Sequence, residues 1–206
     1  MSDKAFLDTA YGLDDSAATL AFYQDWAATY DVEIVANGYA TPGRCAHALQ
    51  AAVASLSAPL LDLGCGTGLS GVAFKSIGFQ VIDGSDFSSQ MLAAAKSRDG
   101  VYRSLTMGDL NNPIPAQPGE YHNIAAVGVF SPGHASAAMV SDVMHRLPGG
   151  GCFVFSLNDH ALEDPSYNAA IEALVNDGVA EVASREYGDH LPGRELKADI
   201  CVLRRL

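Results

Sequence analysis

Leu60-Leu61-Asp62-Leu63-Gly64-Cys65-Gly66-Thr67-Gly68 decides the fold of this chain. Four residues without a charged interruption other than Asp62 read as a strand buried on both faces, and they run directly into a glycine loop that opens a helix near Gly68. Glycines let a backbone turn tightly and approach a ligand with no Cβ in the way, while the free amides of a helix start attract negative charge. A strand, glycine loop and helix in that order place a nucleotide-like ligand at the carboxyl end of a parallel strand.

Outward from this loop, short apolar runs alternate with amphipathic stretches, the pattern of a parallel sheet covered by helices on both faces. The strands are expected at Leu60–Leu63, Phe79–Asp83, Val101–Leu105, Ile124–Val129, Cys152–Leu157, Val179–Tyr187 and Ala198–Leu203. Helices are expected to begin near Gly68, Ser88, Ser136 and Pro165, with Ser88 and Asp164-Pro165 as start signals and Lys96 and Arg98 placed where a helix end favours positive charge. The last two strands are joined by Gly188–Gly193 and a few flanking residues, too little for a parallel crossover, so they form an antiparallel pair at the sheet edge.

Residues 1–56 differ from the rest. Asp14-Asp15-Ser16 offers a cap before an aromatic-rich helix carrying Leu20, Phe22 and Trp26. Thr41-Pro42 starts a second helix whose apolar face is Ala46, Leu49, Val53 and Leu56, and Asn37-Gly38-Tyr39-Ala40 joins the two. The expected organisation is one domain over 1–206, with a helical lid at 1–56 and an α/β core at 57–206.

Which ligand the loop holds is open at first sight, because Gly66-Thr67-Gly68-Leu69-Ser70-Gly71 also fits the dinucleotide pattern G-x-G-x-x-G. The run Asp62 to Gly68 starts one turn earlier, which suits a ligand without a pyrophosphate whose amino-acid tail lies against the loop, its ammonium near Asp62. Val81-Ile82-Asp83-Gly84-Ser85-Asp86 brings two acids to the end of the second strand, and one carboxylate there accepts both ribose hydroxyls. Asp86 is the choice, since Asp86-Phe87-Ser88 leads into a capped helix. Gly108-Asp109-Leu110 supplies an acceptor for an adenine amino group, with Phe87, Met91 and Leu110 as apolar walls. No Tyr has Lys four positions later, which removes the short-chain dehydrogenase arrangement. S-adenosylmethionine fits this set best, with NAD(P) as the alternative.

These residues carry a family likeness. Leu61 to Gly68, Asp86-Phe87-Ser88 with Met91-Leu92, and Gly108-Asp109-Leu110 resemble the successive cofactor motifs of class I S-adenosylmethionine-dependent methyltransferases. Trp26-Ala27-Ala28-Thr29-Tyr30-Asp31, Gly38-Tyr39 and Val127 to His134 look like the small-molecule-type members related to the methyltransferase-like 27 group and, more distantly, the ubiquinone/menaquinone C-methyltransferases. The resemblance implies a Rossmann-like seven-stranded sheet of order 3-2-1-4-5-7-6 with strand 7 antiparallel. It further implies cofactor contacts from Asp62, Gly64, Cys65, Gly66, Gly68, Asp86, Phe87, Met91, Gly108, Asp109, Leu110, Gly128 and Tyr30, under an N-terminal lid. His122 stands where members often carry Asp at the start of the fourth strand, so no acid role is assigned there.

Methyl transfer needs a general base only when the nucleophile must lose a proton. His134, in a Pro-Gly loop beyond the fourth strand, is the candidate base or substrate contact. His160 after the fifth strand, Trp26 and Tyr39 complete the expected substrate pocket, and His190 reaches it only if its hairpin folds over. Cys65 reads as a small buried loop residue, since no cation nearby in sequence lowers its pKa.

The formal net charge is -12, with 12 basic and 24 acidic residues, a field that repels polyanions. DNA amino-methyltransferases carry an Asn/Asp/Ser-Pro-Pro-aromatic tetrapeptide after the fourth strand, where this chain has Ser131-Pro132-Gly133-His134. A small-molecule acceptor is therefore expected, with no nucleic-acid or membrane partner, no metal, and a monomer or homodimer. Cys45, Cys65, Cys152 and Cys201 form no C-x-x-C pair and read as buried thiols of a reducing, cytoplasmic compartment. A non-catalytic S-adenosylmethionine-binding regulator is the second reading.

Overall fold

A computed structural model describes residues 29–108, 114–130 and 135–206. In chain order it contains helices α1 (Tyr30–Ala36) and α2 (Thr41–Ala52), strand β1 (Leu60–Leu63), α3 (Leu69–Ser76), β2 (Ile82–Asp86), α4 (Ser89–Lys96), β3 (Ser104–Met107) and β4 (Asn123–Phe130). Then come α5 (Ala138–Arg146), β5 (Cys152–Asn158), α6 (Asp159–Leu162), α7 (Pro165–Asn176), β6 (Ala180–Leu191), a 3-10 turn at Pro192–Arg194 and β7 (Leu196–Arg205). One sheet of order β3-β2-β1-β4-β5-β7-β6 unites the strands. β1 to β5 are mutually parallel where they pair, and β7 runs antiparallel to both β5 and β6.

Strand side chains alternate between two apolar layers, which is why the central strands read as continuous hydrophobic runs. From β5, Phe153, Phe155 and Leu157 face the layer under α5 and α7, while Cys152 and Val154 face the layer under α2 and α3. Leu61 and Leu63 of β1 join the first layer and Leu60 the second. Asp62 shares the side of Leu60 and is completely buried. Among the described residues no helix is long and apolar enough to cross a membrane.

Several boundaries differ from expectation for identifiable reasons. The second strand is Ile82–Asp86, not Phe79–Asp83: Phe79 packs edge-on against Phe74 at 5.5 Å, closing the end of α3. The third is Ser104–Met107 because Val101 closes a turn onto the Arg98 carbonyl and Tyr102 turns inward. α2 stops at Ala52, before Val53 and Leu56, where Arg204 Nη2 donates to the Ala52 carbonyl at 3.0 Å. The last hairpin stays paired to Leu191 and Leu196, so its tip is the 3-10 turn rather than Gly188–Gly193. The helix expected near Ser136 begins at Ala138, and α6, held by the Asn158 side chain on the Ala161 amide, was not expected. The cap at Asp14–Ser16 and the helix through Leu20, Phe22 and Trp26 lie outside the described residues up to α1.

Candidate cofactor site

At the carboxyl end of β1 the chain turns through Gly64, Gly66 and Gly68. Gly68 caps α3 with φ +91°, a left-handed conformation that costs a residue with a Cβ free energy. A Cβ built on Gly66 meets no atom within 4 Å, because this glycine borders an open pocket. The pocket is framed by the loop, by Asp86, Phe87 and Met91 from the β2–α4 junction, by Val127–Val129 of β4, by Tyr30 of α1, by Tyr39 and by Pro42 of α2, a helix that packs into the core through Cys45, Ala46 and Leu49 and so covers the sheet, where a lid was expected.

The two acids of β2 have separate fates. Asp83 is tied down by Arg103, by Ser104 Oγ at 2.6 Å and by Tyr121 Oη at 2.9 Å, and these donors hold its carboxyl below the usual range against burial. Asp86 lines the pocket, its two oxygens accepting the Gly66 and Ser88 amides, both at 2.9 Å. Burial raises its pKa, opposed by these amides and that of Phe87.

Asp62 lies behind the loop. Its Oδ2 accepts from Ser70 Oγ at 2.7 Å and Tyr102 Oη at 2.8 Å, and Oδ1 has no hydrogen-bond partner among the described residues. Burial pushes its pKa up to about 6 despite those two donors. Tyr102 also accepts the Gly71 amide at 3.2 Å. A Cβ at Gly71 would overlap the Tyr102 phenol, and one at Gly84 would come within 2.9 Å of it. The third glycine of the apparent dinucleotide pattern thus makes room for a tyrosine.

α1 is hooked to the loop. Asp31 of α1 accepts from Thr67 Oγ1 and from Arg98 Nη2, each at 2.5 Å, and Arg98 Nε donates to the Thr67 carbonyl at 2.5 Å. Arg98, two residues beyond the end of α4, therefore bridges α1 and the loop. At the other end of the pocket β4 bulges: pairing with β5 shifts between Ala126 and Phe130, and Gly128 has φ +70°. The Gly128 amide donates to Ser156 Oγ at 2.8 Å, and a Cβ there would lie 2.5 Å from the Tyr39 hydroxyl.

His190 does fold over. Its Nδ1 lies 2.6 Å from Thr41 Oγ1, its ring meets Tyr39 edge-on at 5.5 Å, and its carbonyl accepts the Ala40 amide at 3.0 Å. Burial lowers its pKa to about 4. It braces Tyr39 and the start of α2 from behind and does not line the pocket.

Of the residues expected from sequence, Gly64, Cys65, Gly66, Asp86, Phe87, Met91, Gly128, Tyr30 and Tyr39 border one pocket. Gly68 shapes the loop and Asp62 stands behind it. Gly108 packs on Ser85 below Asp86, its amide on the Asp86 carbonyl, and His160 on α6 is not in the lining. Asp109, Leu110, His134 and Trp26 lie outside the described residues. Cys65 is buried, and burial together with Asp62 and Asp86 raises its thiol pKa, which keeps it from acting as a nucleophile. Sequence reasoning missed Tyr102 and the Asp31–Thr67–Arg98 hook; the excess glycines Gly71 and Gly84 were the one signal for the first. No group of three His, Cys, Asp or Glu suited to a metal occurs among the described residues.

Comparison with known proteins identifies the family. Residues 60–151 match the model of a family described as a methyltransferase domain. The chain is 30% identical over 177 residues to methyltransferase-like protein 27 of Homo sapiens, spanning 84% of this chain and 71% of that protein. It is 38% identical over 68 residues to an 18S rRNA (guanine-N(7))-methyltransferase of Mus musculus, a match covering 33% of this chain and 24% of that one. Among solved structures, the magnesium protoporphyrin IX methyltransferase of Synechocystis with bound S-adenosylhomocysteine superposes with a TM-score of 0.69 at 15% identity, covering 93% of this chain and all of that one. The chain belongs to the class I S-adenosylmethionine-dependent methyltransferases.

The residues present fit that cofactor. Gly66 leaves open space for a ligand against the loop, Asp86 offers lone pairs at the pocket wall, and Asp62 keeps one buried oxygen without a partner among the described residues.

Proposed function

We propose that this protein transfers the methyl group to a small-molecule acceptor in a reducing compartment such as the cytoplasm. The observation that carries this reading is the pocket lining. Beyond Phe87 and Met91, read here as adenine walls, Tyr30, Tyr39, Pro42, Leu69, Val127 and Val129 make the remaining lining apolar and aromatic, and no Lys or Arg is among its described residues. A cavity of this kind suits a compact ligand. A polyanionic acceptor calls instead for clustered basic side chains, and the net charge of -12 opposes one. The four cysteines, all buried free thiols, suit a reducing setting.

When bound, the cofactor supplies a methyl carbon made electrophilic by its sulfonium. The chain's own work is positioning and exclusion of water. In this reading Asp86 accepts the ribose hydroxyls, Phe87 and Met91 wall the adenine, and Asp62 faces the ammonium of the amino-acid end. Tyr30 and Tyr39 cover the pocket, with Tyr39 held against the β4 bulge where the acceptor arrives. The helical lid and the α/β core act as one domain.

The test is incubation of the protein and labelled S-adenosylmethionine with a cell metabolite extract and, separately, with total RNA and with total protein. Label appearing in a low-molecular-weight product alone is expected. Label in RNA or protein alone would contradict the acceptor class, and no labelled product in any arm would favour a cofactor-binding regulator.

A further inference from the structure

Tyr102 belongs to no expected motif, yet the centre of the site is built around it. Its phenol occupies the space left by two missing side chains, at Gly71 of α3 and Gly84 of β2. Its hydroxyl accepts the Gly71 amide and donates to Asp62 Oδ2, the same oxygen that Ser70 Oγ reaches. Two donors on one oxygen fix the carboxylate's rotation and leave the other oxygen, Oδ1, buried without a partner among the described residues. A buried acceptor left open in this way is costly unless a ligand completes it. The ligand wanted is a cation small enough to come in beside the loop, since Ser70, one of the two donors, itself lines the pocket.

We propose that Tyr102 is a positioning residue for the amino-acid end of the cofactor, holding Asp62 so that Oδ1 receives the ammonium. This rests on the reading of Asp62 given above. The groups that face Asp62 are Tyr102 and Cys65, with Asp86 on β2 and Cys45 on α2 further off; none of them is cationic. Among the described residues the carboxylate has no cationic partner, and a ligand supplies one. Tyr102 and Ser70 favour its ionised form, and burial opposes it.

The experiment compares two ligands by titration calorimetry. S-adenosylhomocysteine carries the amino-acid end; methylthioadenosine keeps the adenosine and sulfur without it. Tyr102→Phe retains the ring that fills the space of Gly71 and Gly84, so its folding is checked by Tm alone. This variant is expected to bind S-adenosylhomocysteine about tenfold more weakly, the loss of one hydrogen bond to a charged group, with methylthioadenosine changed less than about twofold. Asp62→Asn is expected to show the same selective loss, and the double variant little more than either single one. In the unmodified protein the preference for S-adenosylhomocysteine falls as pH drops from 7 to 5 through the Asp62 pKa of about 6. Tyr102→Phe shifts that fall to higher pH, because a donor favouring the carboxylate is gone. The ribose contact at Asp86 is common to both ligands and cancels.

Equal weakening of both ligands in Tyr102→Phe, or no weakening of either, overturns the role of Tyr102. Selective loss in Asp62→Asn with Tyr102→Phe unaffected overturns Tyr102 alone and leaves the ammonium site standing. If S-adenosylhomocysteine does not bind the unmodified protein at all, the cofactor site falls and this inference with it.

Discussion

Asp83 and Asp86 sit three positions apart on one short strand, and environment alone gives them different work. Asp83 spends its lone pairs on Arg103, Ser104 and Tyr121, all within the protein. Among the described residues Asp86 accepts only backbone amides at the pocket wall, and it retains capacity for a ligand. Asp83→Asn is therefore expected to lower stability by about 1–3 kcal/mol, as the buried carboxylate and the charge-assisted bond from the buried Tyr121 hydroxyl are lost, with S-adenosylhomocysteine affinity nearly unchanged. Asp86→Ala is expected to reverse the pattern, weakening S-adenosylhomocysteine at least about tenfold. Thermal unfolding and calorimetry on the two variants separate these outcomes; equal binding losses would contradict the division of roles. The choice of Asp86 was legible from its place just before the Ser88 cap. The fate of Asp83 was not, since its partners Arg103, Ser104 and Tyr121 come from turns and strands about 20 to 40 residues away.

At the scale of elements, the glycine loop is held between α3 and α1. Gly71 lets α3 lie close over Tyr102, so Gly71→Ala is expected to destabilise by about 1–3 kcal/mol through overpacking. Gly149→Ala, in a turn where an added Cβ meets nothing within 4 Å, serves as the neutral control. Equal Tm values for the two would contradict the packing. Above the loop, Asp31 hooks α1 to Thr67 and Arg98. Both partners of the ion pair are partly exposed, 43% for Asp31 and 23% for Arg98, so the pair contributes under about 1 kcal/mol to global stability. Asp31→Asn is instead expected to act locally, speeding amide exchange in α1 while leaving β4 and β5 protected. Unchanged exchange in α1 would remove the hook as what holds α1 to the loop. The central strands β1, β4 and β5 were legible to within a residue or so because burial on both faces makes them continuously apolar. β2 and β3 were displaced by three residues because Ile82–Asp86 contains Gly84, Ser85 and Asp86, polar or small residues kept in the sheet by site geometry, while the apolar Phe79 and Val101 serve turns.

For the molecule as a whole, two buried ionisable groups pull stability in opposite directions with pH. His190 has its pKa lowered from 6.5 to about 4, so the unfolded chain binds the proton more tightly and stability is lost as pH falls from about 6.5 toward 4. Asp62 has its pKa raised from 3.8 to about 6, so the folded chain binds the proton more tightly and stability is gained as pH falls from about 6 toward 3.8. Each amounts to about 3 kcal/mol over its window, and the two nearly offset. Asp62→Asn is expected to make unfolding in acid steeper and His190→Gln to make it shallower, as read by urea denaturation from pH 4 to 7. Slopes that move the same way would contradict the burial of one of the two. The sheet order and the reversed β7 followed from the resemblance carried by the glycine loop and the two acidic motifs. The hairpin reaching back to Thr41 did not, because the His190 contact closes a loop of 149 residues that local sequence does not reveal. The central claim is that this pocket holds S-adenosylmethionine by Asp86 and the glycine loop. Its most direct test is calorimetric titration of the full chain with S-adenosylhomocysteine and with NAD, repeated on Asp86→Ala. One-to-one binding of S-adenosylhomocysteine that is lost with Asp86, and no binding of NAD, is the predicted result; binding of NAD alone, or S-adenosylhomocysteine binding indifferent to Asp86, would contradict the account.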